Sequence, residues 1–337
     1  MAKSYGLGID LGGTKILAGV TDLNTGKVLG SAKKRTNSAE GAKELLGRLG
    51  DVATDAISDA KLPKGTFVTS AGVLAPGQVD PERGVLLTAP NLSGLGNLPI
   101  AESLEDRLDL PVRLGNDVQG AALGELRFGA GKGVDRLVCV FVGTGVGGAI
   151  IRGGELDRGP SATAGEIGHL VVFAGGRFCG CGGRGHLEAY ASRTAITRVL
   201  LEELRRGRPS VLRDLLGAAG IDENAPGSMA IRSGLLAKAV AQNDELVLET
   251  LQEAGRYLGL ALASAINFYN PERIVLGGGV VEAVPLLLEI AAPIAKREAL
   301  AVPGALVEIV PSKLGDNAGV VGAALLGAQS VQVAGLR

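Results

Sequence analysis

Apolar residues fall in two rhythms along this chain. Short continuous or alternating runs at residues 5–10, 16–21, 67–73, 111–114, 136–142, 149–152, 273–276 and 308–310 have the length and composition of strands. Residues 27–34 add a further strand after the second run. Between these runs, residues 40–60, 102–108, 118–126, 190–206, 244–267 and 317–330 follow helical spacing. Leu62-Pro63 ends the first helix and Asn270-Pro271 ends the long one, because the residue before a proline is pushed out of the helical region. Asp244 is placed to cap that long helix, whose inner stripe is Leu248, Leu251, Ala254, Leu258 and Ala261. Residues 75–99 read mainly as turns and 207–228 as a connector with helical pieces. Alternating strands and helices predict an α/β protein.

The same local pattern occurs twice: strand, glycine-rich tip, strand. The first tip holds Asp10, Gly12, Gly13, Thr14 and Lys15, and the second holds Gly143, Thr144, Gly145 and Gly147. The first is not a Walker A loop. The second spells GxGxxG, but a dinucleotide fold needs a helix there and the sequence continues as a strand. Such tips can be ordinary tight hairpins, or they can offer backbone N–H groups to phosphate oxygens with a threonine hydroxyl beside them. Two tips able to serve one triphosphate are a stronger signal than either alone. At the strand end, Asp10 can hold Mg²⁺ through water. Gly277, Gly278 and Gly279 sit between a strand and a helix, suiting either chain reversal or a nucleotide edge. Asn116-Asp117 stands where a strand meets a helix, so Asp117 is either a helix cap or a carboxylate held at the rim of a cleft.

Composition narrows the function classes. A chain of 337 residues predicts two domains, each able to bury a core. With 46% hydrophobic and 20% charged residues it is ordinary globular protein, and a net charge of −1 gives no electrostatic reason to expect nucleic acid or membrane as partner. The basic run at 205–208 reads as a solvated helix face. Glycine is the outlier, at 53 residues or about 16% against a usual value near 7%. Three cysteines, no long apolar run and no evident leader predict a cytoplasmic protein without a disulfide framework.

Both histidines of the chain, His169 and His186, lie in the stretch GEIGHLVVFAGGRFCGCGGRGHLE at 165–188, with Cys179 and Cys181 between them. Four N and S donors in one glycine-rich loop suit a tetrahedral Zn²⁺, here a structural knot. A packed imidazole with a buried thiol is the plainer reading, and a Cys179–Cys181 disulfide would close a strained ring. Glu166 and Glu188 bracket the donors.

GIDLGGTK, GNDxxxAALGE, GEIGH with CxCGxxGxxE, NPxxIVxGGG and GDNAGVVGAA, in that order, resemble the ROK family of repressors and sugar kinases over nearly the whole chain. The resemblance implies two actin/hexokinase-like (ribonuclease H-like) α/β domains around an ATP and sugar cleft. It places the first domain at 1–115, completed by a C-terminal helix at about 316–337, and the second, with its zinc loop, at 116–315. The implied activity is ATP-dependent phosphorylation of a hexose, foremost glucose to glucose 6-phosphate, with Asp117 as general base. Asn91, Asn116, Glu166, His169 and Glu188 would hold the sugar, and Asp10, Gly12, Gly13, Thr14, Lys15, Gly143, Thr144, Gly145, Gly147, Gly277 and Gly278 would hold ATP with Mg²⁺. The zinc set becomes His169, Cys179, Cys181 and His186, the last standing where the family has a third cysteine; Leu95 likewise replaces a tryptophan. Family membership also implies a homodimer or homotetramer. The family's alternatives are kinases of N-acetylmannosamine, N-acetylglucosamine, fructose or mannose, and sugar-sensing regulators. Those regulators carry a DNA-binding domain ahead of the first tip, where this sequence has nine residues before Asp10.

Overall fold

The structure, a computed structural model, describes residues 4–89, 92, 94–222 and 231–334. Its internal contacts divide the chain into two compact units, Met1–Lys132 with Asp316–Arg337, and Gly133–Gly315. The first contains β1 (Tyr5–Leu11), β2 (Lys15–Asp22), β3 (Val28–Arg35), α1 (Ala42–Asp59), β4 (Val68–Ala75), β5 (Gln78–Asp80), β6 (Val85–Thr88), β7 (Gly96–Pro99), α2 (Ile100–Leu108), β8 (Val112–Asn116) and α3 (Asp117–Phe128). The second contains β9 (Arg136–Val142), β10 (Val146–Arg152), β11 (Glu155–Asp157), α4 (Glu188–Ala191), α5 (Arg193–Arg205), α6 (Leu212–Ala218), α7 (Ser233–Ala241), α8 (Glu245–Tyr269), β12 (Arg273–Gly277), α9 (Gly279–Ala283), α10 (Leu286–Glu298), α11 (Ala301–Leu306) and β13 (Glu308–Pro311). The last helix, α12 (Ala318–Ala334), returns to the first unit.

Both units carry one five-stranded sheet with the same plan. Strand order is β3-β2-β1-β4-β8 in the first and β11-β10-β9-β12-β13 in the second. In each, the first three strands form an antiparallel meander, and the last two run parallel to the first. Since ligands of open parallel sheets gather beyond the carboxyl ends of the strands, this plan sends both glycine tips to that edge.

Each sheet buries its own core. In the first unit, Leu7, Ile9 and Leu11 of β1 pack with Leu45 and Leu49 of α1 and Leu104 of α2. The opposite face takes α12 at backbone distance. A Cβ at Gly8 would stand 1.9 Å from the Val320 carbonyl, and one at Gly72 would stand 1.9 Å from that of Ala323. Only glycine admits a helix that close, which accounts for the small residues of GDNAGVVGAA. The helix α3 packs against α12 as well, so the contacts keep 117–128 with the first sheet. In the second unit, Val138 and Val140 of β9 and Ile274 of β12 share a core with Leu251, Ala254 and Leu258 of α8 and Leu287 and Ala291 of α10.

Several expected boundaries move. Residues 75–99 contain, besides turns, the small antiparallel sheet β5-β6-β7. The expected helix at 190–206 breaks at Ser192, whose hydroxyl accepts the Ala195 N–H at 3.1 Å and restarts the chain as α5. Strand β10 begins at Val146, so Gly147 lies within it opposite Phe141. Asp244 does cap α8, accepting from Val247 N at 2.9 Å, but Leu248 is only half-buried and Val247 takes its place in the inner stripe. Among the described residues no helix is long and apolar enough to cross a membrane.

Candidate functional site

The two tips share a polarity that their sequences do not announce. In the first, Gly12 N–H donates to Lys15 O at 2.9 Å. Thr36 ties two more of the tip's carbonyls, its hydroxyl donating to Gly12 O at 2.6 Å and its N–H to Thr14 O at 3.0 Å. In the second, Gly143 N–H donates to Gly145 O at 2.9 Å, Arg193 N–H to Gly143 O at 2.9 Å, and the Thr194 hydroxyl to Thr144 O at 2.8 Å. The N–H groups of Gly13, Thr14, Thr144 and Gly145 have no hydrogen-bond partner among the described residues. With most of its carbonyls tied and these N–H groups unpartnered, each tip is an anion-receptive nest.

Charges complete the first tip. Lys15 Nζ lies 3.4 Å from Asp316 Oδ2, just ahead of α12. Burial pushes the Asp10 carboxyl up to about 6, Lys15 pulls it back, and Asp316 adds to the rise. The carboxylate faces the first turn of α12, where a Cβ at Gly319 would be 2.7 Å from Asp10 Oδ2.

At the same sheet edge, β8 delivers Asn116 and Asp117. The cap is Asn116, not Asp117: its Oδ1 accepts from Val118 N at 3.0 Å and Gln119 N at 3.1 Å, and its Nδ2 donates to Gly77 O at 3.3 Å. Asp117 is thereby the first residue of α3, with Oδ1 accepting from Val118 N at 2.9 Å. Pairings Asp10 with Leu74 and Ala75 with Asn116 set Asp10 and Asn116 two strands apart, roughly 10 Å at the usual interstrand spacing. Asn91 lies outside the described residues.

In the second unit, β12 runs parallel to β9 and ends at Gly277, opposite Phe141, beside the tip. Gly278 has φ 90° and a Cβ there would stand 2.6 Å from Val142 O, so this glycine is required by the turn itself.

The predicted metal donors come together. One ligand atom from each of His169, Cys179, Cys181 and His186 lies within 4.8 Å of the others. His169 Nδ1 is 3.8 Å from Cys179 Sγ, and His186 Nδ1 is 3.2 Å from Cys181 Sγ. Bond lengths of about 2.0–2.3 Å around a tetrahedral zinc put its donors roughly 3.3–3.8 Å apart; both of these pairs lie near that separation, and the whole set reaches it by closing about 1 Å at its widest. Burial pushes the bare Cys179 thiol up to about 11, so the thiolate a metal requires forms with a cation beside it. The other nitrogen of His169, Nε2, lies 4.0 Å from Glu166 Oε2, so the ring presents Nδ1 to the cysteines with a carboxylate near its far side. Burial raises the Glu166 carboxyl from its ordinary value, against the lowering effect of His169, and Glu188 raises it further. Glu188 spans two features: Oε1 is 3.8 Å from Cys179 Sγ, and Oε2 accepts from Val146 N at 3.0 Å beside the glycine tip. The loop is fixed to α8 by the ion pair of Arg177 with Glu253 at 3.0 Å, and α4 after it by Tyr190, whose ring is tilted against that of Tyr257 with centroids 4.2 Å apart.

Sequence reading missed Thr36, Arg193 and Thr194. Their partners are up to 50 residues away, and no local pattern marks a threonine that will bond a distant carbonyl.

Two α/β units with one strand plan, each with an unpartnered N–H nest at its first hairpin, define a protein of the two-domain actin/hexokinase-like fold. More narrowly, the ROK family profile matches residues 6–330, and the chain belongs to that family. A glucokinase of Thermotoga maritima is 33% identical over 327 residues, 96% of this chain and 97% of that protein. The crystal structure of a ROK glucokinase from Streptomyces griseus, in complex with glucose and AMPPNP, superposes with a TM-score of 0.82 at 33% identity, covering 97% of this chain and all of that one. A ROK hexokinase from Thermus thermophilus gives a TM-score of 0.75 at 31% identity, covering 98% and 99% of the two chains.

Proposed function

We propose that this protein is an ATP-dependent hexose kinase that converts glucose to glucose 6-phosphate. The observation that carries the reading is the full-length relationship to glucokinases, 33% identical over 96% of this chain. Asp117, set at the first turn of α3 by the Asn116 cap, is the general base. It accepts the proton of the sugar O6 as that oxygen attacks the γ-phosphorus. Phosphoryl transfer asks little covalent chemistry of a protein, so the nests at 12–14 and 143–145 act by holding phosphate oxygens in place. The glycines at 277 and 278 border the nucleotide. Mg²⁺ bound with ATP near Asp10 would neutralise phosphate charge. Asn116, through its remaining amide N–H, and Glu166, His169 and Glu188 bind sugar hydroxyls, carboxylates being able to accept from several at once. His169, Cys179, Cys181 and His186 would hold a structural Zn²⁺, whose bonds would fix the loop that carries Glu166, His169 and Glu188.

The test is ADP release by purified protein across glucose, mannose, fructose, N-acetylmannosamine and N-acetylglucosamine, with ATP as donor. Highest kcat/KM for glucose is the expected outcome. Preference for an N-acetylated sugar would overturn the substrate, and no turnover with any of the five would overturn the kinase reading.

A further inference from the structure

Arg193 opens α5 directly after the Ser192 cap, and its guanidinium donates to Thr144 Oγ1 at 2.7 Å. A hydroxyl that accepts a bond from an arginine keeps its own proton for donation elsewhere. The Thr144 side chain is therefore turned into a donor, matching the N–H groups of Thr144 and Gly145 beside it. Those two N–H groups have no partner among the described residues, whereas all three tip carbonyls, of Gly143, Thr144 and Gly145, are bonded. The first tip has its cation built in, since Lys15 follows Thr14 directly. At the corresponding place the second tip has Val146, whose N–H is taken by Glu188, and no cation of its own.

We propose that Arg193 supplies that missing cation. It is a phosphate-contacting residue of the second nest, binding an oxygen of the ATP phosphates through a guanidinium N–H while holding the Thr144 hydroxyl in its donating orientation. Guanidinium is suited to this because its several N–H groups lie in one plane and reach two acceptors together. The Arg193 backbone N–H would still tie Gly143 O in any substituted protein, so the tip keeps its shape when the side chain changes.

This inference rests on the kinase reading, and the experiment separates the two. Wild type, Arg193→Gln and Arg193→Lys are compared for KM of ATP, KM of glucose, kcat and thermal midpoint. Turnover by the wild type establishes the kinase; its absence is a failure of that reading, not of this one. Given turnover, Arg193→Gln should raise KM for ATP by about tenfold or more, in line with loss of a charge-assisted hydrogen bond, and leave KM for glucose within about twofold. Lysine, keeping the charge without the planar fork, should recover part of the loss. An unchanged KM for ATP would overturn the proposal. So would a parallel rise in both KM values with a lowered thermal midpoint, which is what a merely structural arginine would give.

Discussion

Replacing Asp10 by asparagine should make the nucleotide-free protein more stable at neutral pH while it stops turnover. The carboxylate is half-buried at the end of β1 against the first turn of α12, and burial pushes it from 3.8 up to about 6. That is a shift of about two pKa units, so at about 1.4 kcal/mol per unit the charged form costs on the order of 3 kcal/mol once fully ionised. Because the folded protein holds the proton more tightly than the unfolded chain, stability falls as pH rises between the two values. The cost is absent below about pH 4, where both states are protonated, grows between pH 4 and 6, and is complete above. Asparagine has nearly the same shape and never carries the charge. About 3 kcal/mol is a ceiling, since the amide still needs hydrogen-bond partners. At roughly 2–4 °C per kcal/mol, thermal melts in magnesium-free buffer at pH 7.5 should place Asp10→Asn several degrees above wild type. The gap should close toward pH 4. Equal midpoints at pH 7.5, or a gap of the same size at both pH values, would refute the reasoning. Coupled assays of the same variant should show less than about 1% of wild-type kcat, the loss expected if Asp10 steadies the nucleotide-bound cation.

Three other substitutions test separate parts of the molecule. Asp117→Ala should lower kcat by about a thousandfold or more, with glucose affinity measured by calorimetry nearly unchanged; substantial residual turnover removes Asp117 from the role of base. Cys179→Ser should lose bound zinc by elemental analysis and raise KM for glucose; full activity in a protein shown to be zinc-free would break the proposed link between metal and sugar. Gly72→Ala places a methyl group 1.9 Å from the Ala323 carbonyl, so it should destabilise the first unit by about 1–3 kcal/mol in urea melts. An unchanged midpoint would show that α12 shifts freely on the sheet.

What could be read from the sequence follows from how local each signal is. Strand β9 was legible to the residue because a run of buried apolar positions needs no partner to be recognised. The cap at Asp244 was legible for the same reason, since it bonds an N–H three residues away. The donor cluster at 169–186 was legible because all four residues sit in one loop of rare residue types. Other features depended on distant chain. The break at Ser192 hides inside a helical pattern, and it is the break that sets Arg193 and Thr194 against the second tip. Val247 displaces Leu248 from the inner stripe because α8 is covered on more than one side, by α5 and by α10, which widens the buried arc. The short sheet β5-β6-β7 resembles turns in sequence because strands of three and four residues are too brief to show alternation.

The duplicated sheet explains why a tip's own sequence reports only half of what makes it anion-receptive. Chain order fixes which strands meet, so both meanders carry their first tip to the carboxyl edge, and the glycines follow from the sharpness of the turn. What makes a tip anion-receptive is the opposite requirement, that its carbonyls be occupied, and the turn cannot meet this by itself. In the first unit Thr36, the residue after β3, closes two carbonyls with its own N–H and hydroxyl. In the second, β11 is only three residues long and ends at Asp157, so the same task falls to the start of α5. The chain that ties the second tip is therefore the chain that has just passed through the four metal donors and Glu188. Order in that loop and order in the tip are linked by covalent continuity from Glu188 to Thr194 and by the carboxylate bond to Val146 N. Damage to the loop at 165–188 should therefore be felt at the second tip as well as at Glu166 and His169.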